Sequence, residues 1–178
     1  LKHSNDIKTI VSEFVDFARL PAPNFTECDI ISMISDLVES RKLININISY
    51  SFTSNLKRYN FICDLRQINR VIVNLLLNSE EAFKKSQLDK KINVMLHAKQ
   101  NILQIIISDN GLGFSKKLLK LAKAEYITTK SQGTGLGLAI VDRIVSDHCG
   151  TTHLSNNNSG GARIELTFNT SLLKTKLK

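Results

Sequence analysis

The stretch GTGLGLAIV, at 133–141, places three of the chain's eight glycines at alternating positions and then passes directly into an apolar run with helical spacing. Glycine ahead of a helix costs backbone entropy, so it is expected where the chain needs unusual dihedrals or where a ligand approaches the backbone closely. Phosphate is one such ligand, because the unpaired N–H groups and the dipole at a helix N-terminus attract anions. The stretch therefore demands a fold that brings a glycine turn to a helix start, and it points to a nucleotide. It is neither a P-loop nor a dinucleotide fingerprint, since Leu138 stands where the last glycine of GxGxxG would fall. The His-Arg-Asp loop of protein kinases is missing as well.

At 178 residues and 42% hydrophobic content, the chain suits one domain with a full core and a short appendage. Cys28, Cys63 and Cys149 are odd in number and widely spaced, which argues against a disulfide framework or a thiolate zinc site and for a reducing compartment. No apolar run approaches the roughly 18 to 20 residues that cross a bilayer, and no signal-peptide pattern opens the chain. The net charge of +8 raises nucleic acid as a partner. The basic residues are scattered, however, and the densest group, Lys174, Lys176 and Lys178, lies on a polar tail without aromatic companions. A solvated surface or a site for a polyanionic small molecule fits better than a nucleic-acid interface.

Ile7, Ile10, Val11, Phe14, Phe17 and Ala18 fall at helical spacing, and prolines 21 and 23 then stop that helix. Thr26 with Asp29 resembles a capping box for a second helix towards Arg41. Alternation at Ile44, Ile46, Ile48, Tyr50 and Phe52 predicts a strand, and YNFICD a shorter one. A helix follows over 66–83, then a hairpin turning near Gln100 and Asn101, a helix from about Leu138 to His148, and a second hairpin through NNNSGG. The pattern is an α+β class: a two-layer sandwich with helices on one face of a mixed sheet, plus the N-terminal helical segment.

In the 66–83 helix, Ile68, Val71, Ile72, Leu75, Ser79 and Ala82 make one buried face, and Asn74 and Asn78 lie one turn apart on its shoulder. Amides so placed either face solvent or offer oxygens to a hard cation in a cleft; Mg²⁺ needs few protein oxygens beside a triphosphate. Asp109 emerges at the end of ILQIIIS, which reads as a fully buried strand, and Gly111 and Gly113 follow it. That carboxylate either closes an Asx turn or accepts a hydrogen bond from an exocyclic amine such as adenine N6. Between Gly113 and Gly133 lie about twenty residues with only KKLLKLA hinting at a helix, a length uncommon unless the stretch forms a lid or is disordered.

In order, NLLLNSEEAF, DNGLGF, YITTKSQGTGLGLAIV and SGGARIELTF resemble the N, G1, F, G2 and G3 boxes of sensor histidine kinases, in the wider family that includes gyrase, Hsp90 and MutL. The resemblance spans residues 64–168, and IVSEFVDFARLPAP further resembles the last bundle helix and exit linker of membrane-anchored, nitrogen-regulation sensor kinases. It implies the ATP-binding fold of that family, with ATP and Mg²⁺ as cofactors. Asn78 would hold Mg²⁺, with Asn74 its companion near the phosphates. Asp109 would bind the adenine amine, and Gly111 and Gly113 would form the adenine pocket. Lys130 with Gly133, Thr134, Gly135, Leu136, Gly137 and Leu138 would cover the triphosphate. Hydrolysing relatives carry a Glu in place of Asn74, and an amide is no general base, so transfer to another acceptor should outrun hydrolysis. The implied domains are 1–22, the end of a dimerisation helix and its linker; 23–170, the catalytic domain; and 171–178, a basic tail.

The family's F box begins with Phe and has Pro before its second aromatic, where this chain has Lys123 and Glu125. Cys149 replaces a glycine after His148, and Ala162 a frequent Thr. His3 lacks the phosphoacceptor pattern, which places the acceptor histidine upstream of residue 1. The implied partners are that phosphoacceptor bundle and a response-regulator receiver domain; the implied parent is a homodimer anchored in the bacterial inner membrane, with this part in the cytoplasm. A gyrase-type ATPase and a nucleotide-free module of the same fold are the rival readings.

Overall fold

A computed structural model describes residues 20–122 and 136–177. The N-terminal helix expected over 7–18, the irregular F box at 123–126, and Lys130, Gly133, Thr134 and Gly135 lie outside the described residues.

A short strand, β1 (Thr26–Asp29), leads into α1 (Ile30–Ile44); then come β2 (Ser49–Ser54), β3 (Asn60–Cys63) and α2 (Leu65–Glu81). The hairpin β4 (Lys91–Lys99) and β5 (Ile102–Asp109) follows, then α3 (Lys116–Ala122), α4 (Leu136–Asp147), the hairpin β6 (Gly150–Asn156) and β7 (Ala162–Asn169), and a terminal turn of helix, α5 (Thr170–Lys174). Five strands form one sheet in the order β2-β4-β5-β7-β6, parallel only between β2 and β4, while β1 and β3 make a separate antiparallel ribbon. The expected mixed sheet with helices on one face is present.

Period-2 alternation explains which face is covered. Ile92, Val94 and Leu96 of β4, Leu103, Ile105 and Ile107 of β5, and Ile164, Leu166 and Phe168 of β7 point into the core, joined there by Ile68, Val71, Ile72 and Leu75 of α2 and Ile140, Val141 and Ile144 of α4. The outer face is polar: Ser51 donates to Asn93 (2.7 Å) and Gln104 to Glu165 (3.0 Å). Contrary to the expectation from its sequence, β5 is therefore not buried throughout; Gln104 and Ser108 are half-buried and Ile102 is exposed.

Two further expectations are corrected. Thr26 is not a cap but a residue of β1, and Asp29 is the N-cap of α1, accepting from the N–H of Ile31 (3.2 Å) and Ser32 (3.5 Å). The strand read from Ile44 begins only at Ser49; Ile44 closes α1, and Ile46 is 85% exposed. The reason is tertiary. Arg41, Asn45 and Tyr50 converge on one carboxylate of α2, Glu80: the Arg41 guanidinium grips both of its oxygens, Asn45 donates at 3.0 Å and the Tyr50 hydroxyl at 2.8 Å. These contacts pull the chain around in helical form past the point where its alternation begins. Burial, with the Glu80 charge adding to it, raises the Tyr50 phenol to about 12. Beyond β7, α5 packs Leu173 into the core.

Candidate nucleotide site

The inward row of β5 runs Leu103, Ile105, Ile107 and ends on Asp109, so strand period alone places a carboxylate on the helix-covered side of the sheet. Asp109 is 4% exposed. Its Oδ1 accepts from the N–H of Gly111 (2.9 Å) and of Ala162 (3.1 Å), whereas no described residue donates to Oδ2. Half of the acceptor capacity of a buried carboxylate is thus left for something else.

Asp109 lines a cavity of about 370 Å³ together with Asn78, Ser79, Glu81 and Ala82 of α2, the 112–115 loop, and Leu138 of α4. That volume lies within the range of small-molecule sites, and the lining combines apolar walls with a few aimed polar groups. The loop after Asp109 is pinned on both sides. Leu112 N–H donates to the Ala82 carbonyl at the C-terminus of α2 (3.0 Å), and a Cβ on Gly111 would lie 2.7 Å from the same oxygen. Opposite, Asn156 holds Phe114 with a reciprocal pair, accepting from its N–H (2.7 Å) and donating to its carbonyl (2.8 Å). Gly113, at φ +69°, completes the turn and faces the cavity.

Of the residues singled out in the sequence, the cavity brings together Asn78, Asp109, Gly113 and Leu138. Gly111 supports it from behind. Asn74 is half-buried one turn earlier on α2 and is not among the described lining residues. Helix α4 starts at Leu136, two residues earlier than its apolar run suggests, with Gly137 in its first turn. Asn78 lines the cavity, and its amide carries a hard carbonyl oxygen, a donor type that suits Mg²⁺ when phosphates and water complete its shell.

The β6–β7 turn was legible as a hairpin and, through SGGARIELTF, as a family box, but not as the support of Asp109 that it supplies. Gly161, at φ +87°, passes so close to Asp109 that a Cβ there would meet its carbonyl oxygen at 1.9 Å. The sequence signal was present in NNNSGG, where three amides precede two glycines.

At the other end of α2 a second buried network holds the incoming chain. Asp64 caps the helix, its Oδ1 accepting from Arg66 N (3.0 Å) and Gln67 N (3.2 Å) and its Oδ2 from Asn24 N (3.0 Å). Burial pushes this carboxyl up, but the N–H groups of Asn24, Gln67 and Arg66 outweigh it and hold it below the usual carboxylate value. His148, fully buried, accepts from Asp64 N at Nε2 (3.0 Å), pairs through Nδ1 with the Ile144 carbonyl (2.8 Å), and lies against the Phe25 ring. Gln67 reaches back to the Pro21 carbonyl (2.9 Å). Burial lowers the His148 pKa against the opposing pull of Ile144, Asp64 and Asp147. Among the described residues no group of three His, Cys, Asp or Glu side chains is placed to hold a metal, and His148 is committed to structural bonds.

The sheet order, the helix-covered carboxylate at the end of β5 and the α2 asparagine that lines the same cavity describe a two-layer α/β sandwich with a small-molecule-sized site at the strand end. Residues 63–172 match the model of the histidine kinase-, DNA gyrase B- and HSP90-like ATPases, and the chain belongs to that family. It is 49% identical over its full length to an NtrY-like sensor histidine kinase of Rickettsia bellii (strain RML369-C), of which it spans 29%. Among solved structures, the nucleotide-free catalytic domain of histidine kinase ThkA superposes with a TM-score of 0.69 at 24% identity, over 83% of this chain and 96% of that one. ThkA in complex with response regulator TrrA gives 0.76 at 19%, over 95% of this chain and 48% of that one. These likenesses show the same fold. No helix among the described residues is long and apolar enough to cross a membrane.

Proposed function

We propose that this chain is the ATP-binding catalytic part of a two-component sensor histidine kinase of the nitrogen-regulation type, moving the γ-phosphoryl group of MgATP to a histidine upstream of residue 1. The observation that carries the reading is the buried Asp109 carboxylate, fixed through Oδ1 and without a donor to Oδ2 among the described residues, in a cavity that Asn78 also lines. Oδ2 meets the exocyclic amine of adenine. Gly111 and Gly113 shape the pocket that receives the ring, and Asn78 offers its side-chain oxygen to Mg²⁺. Bound Mg²⁺ supplies charge neutralisation along the triphosphate. Asn74 stands towards the phosphates, where its amide cannot take a proton from water and so does not promote hydrolysis. Lys130 and residues 133–138 close over the phosphates. Their work is positioning and charge balance, as phosphoryl transfer requires.

In the intact protein, residues 1–22 form the end of the dimerisation helix and its linker, 23–170 the catalytic domain and 171–178 a basic tail. The partners are the phosphoacceptor bundle of the same homodimer and a response regulator, by analogy with the relative crystallised on its regulator. The parent is anchored in the bacterial inner membrane with this part in the cytoplasm. Calorimetric titration of the 178-residue chain with ATP and Mg²⁺ tests the reading. Wild type binds; Asp109→Asn and Asn78→Ala each weaken binding, and Asn78→Ala also removes its dependence on Mg²⁺. Equal affinity in all three proteins refutes it.

A further inference from the structure

The β5–β7 ladder has its last pair at Ser108 and Arg163, one step short of Asp109 and Ala162. The carboxylate that faces the cavity therefore sits just past the end of its sheet pairing. Two contacts replace the missing ladder bonds. Ala162 N–H reaches the Asp109 carboxylate rather than its backbone (3.1 Å), and the Asn157 amide bridges the two backbone carbonyls, donating to Asp109 O at 2.9 Å and to Ala162 O at 3.1 Å. Asn157 is itself fixed, since its own N–H donates to Gly161 O (2.9 Å) and its carbonyl accepts from Gly160 N (3.0 Å). One half-buried side chain thus sets the separation and tilt of the two peptide groups between which the Asp109 carboxylate hangs.

We propose that Asn157 is a positioning residue for purine selection: by clamping Asp109 to Ala162 it holds Oδ2 as a fixed acceptor that takes an exocyclic amine and rejects a ring carbonyl. The proposal rests on the adenine reading of this cavity. An acceptor-only carboxylate oxygen attracts the amino group of adenine and repels the carbonyl oxygen that guanine carries at the same place. Discrimination of that kind depends on the acceptor being unable to turn away, because a buried polar group left facing the wrong partner is what rejects it. Without the Asn157 bridge, no hydrogen bond among the described residues joins Asp109 to Ala162 beyond the Ser108–Arg163 pair except the one to the carboxylate itself. Oδ2 then yields to either base.

The test is calorimetric titration of the 178-residue chain with ATP and, separately, GTP, both with Mg²⁺. Asn157→Ala raises the Kd for ATP about tenfold and leaves that for GTP within about twofold, so the preference for ATP falls by about a factor of ten. Asn157→Ser, which keeps one donor, restores part of the preference and carries the same measurement should the alanine variant fail to fold. A folded Asn157→Ala or Asn157→Ser chain with the wild-type ATP-to-GTP ratio overturns the proposal, as does an equal loss for both nucleotides, the mark of general loosening. The reading beneath it fails differently: wild type that ignores ATP, or Asp109→Asn that binds ATP undiminished, removes adenine from the cavity altogether.

Discussion

Asp64 and Asp109 are both carboxylates at 4% exposure, one at each end of α2, and their surroundings differ in how far each is satisfied. Asp64 has both oxygens occupied by backbone N–H groups, from Asn24 on one and from Arg66 and Gln67 on the other. Asp109 has Oδ1 occupied twice and Oδ2 not at all among the described residues. Burial alone does not separate a structural acid from a binding one. What separates them is how much hydrogen-bonding capacity the protein has already satisfied. Glu80 falls with Asp64: Arg41, Asn45 and Tyr50 all donate to it, and it binds α1, β2 and α2 to one another.

The contrast makes opposite predictions for the two aspartates. Asp64→Ala removes a helix cap and leaves the Asn24 N–H without its acceptor, so it should lower unfolding stability by about 3 kcal/mol in urea titration. Any folded Asp64→Ala protein should still bind ATP as wild type does. Asp109→Asn keeps an oxygen for the N–H groups of Gly111 and Ala162 and turns a donor towards the cavity. It should reduce ATP affinity about a hundredfold while moving the urea midpoint little. If Asp64→Ala damages binding more than stability, or Asp109→Asn the reverse, the distinction drawn from satisfied capacity is wrong.

The network at Asp64 should also respond to pH. Burial depresses the His148 pKa, and the neutral ring is the form that accepts from Asp64 N–H, so the folded state binds fewer protons than the unfolded chain. Stability from this residue is therefore fully present above the unfolded histidine pKa, about 6.5, and is lost as pH falls from there through the depressed folded value. Thermal midpoints measured from pH 7.5 down to 5 should fall in wild type, and more gently in His148→Gln.

Much of this arrangement was legible in the sequence and some was not, for physical reasons. Asp109, Gly113 and Asn78 could be placed because strand period, turn glycines and helix period each act over a few neighbouring residues, while only the family resemblance offered them a ligand. The end of α1 could not, because Glu80, some 39 positions from Arg41, decides it. Alternation from Ile44 to Phe52 described the local chain correctly and lost to that contact. The Asn156 and Asn157 supports were hidden for the same reason: their targets, Phe114 and Asp109, lie 42 and 48 positions away. A turn rich in Asn and Gly announces only itself. Asp29 and Thr26 show a milder case: both pair with β3, and of the capping box expected from the two, Asp29 alone caps the helix.

Glu80 gives the smallest and most discriminating prediction. Each of its oxygens has two donors: Arg41 Nε and the Tyr50 hydroxyl on Oε1, and Arg41 Nη2 and Asn45 Nδ2 on Oε2. Tyr50→Phe deletes one donor, keeps the ring in the core and leaves the charge compensated by the guanidinium. The loss is that of one hydrogen bond to a charged acceptor and of the longer one that Asn45 Nδ2 donates to the hydroxyl (3.3 Å), so the urea midpoint should correspond to a destabilisation of about 2 kcal/mol. ATP affinity should not change, although Glu80 lies only two positions beyond Asn78 on the same helix. A carboxylate saturated by protein donors has nothing left to offer a ligand. A Tyr50→Phe chain that keeps its stability but binds ATP less well would mean that the Glu80 network reports to the cavity, and that saturation does not insulate one carboxylate of α2 from the chemistry beside it.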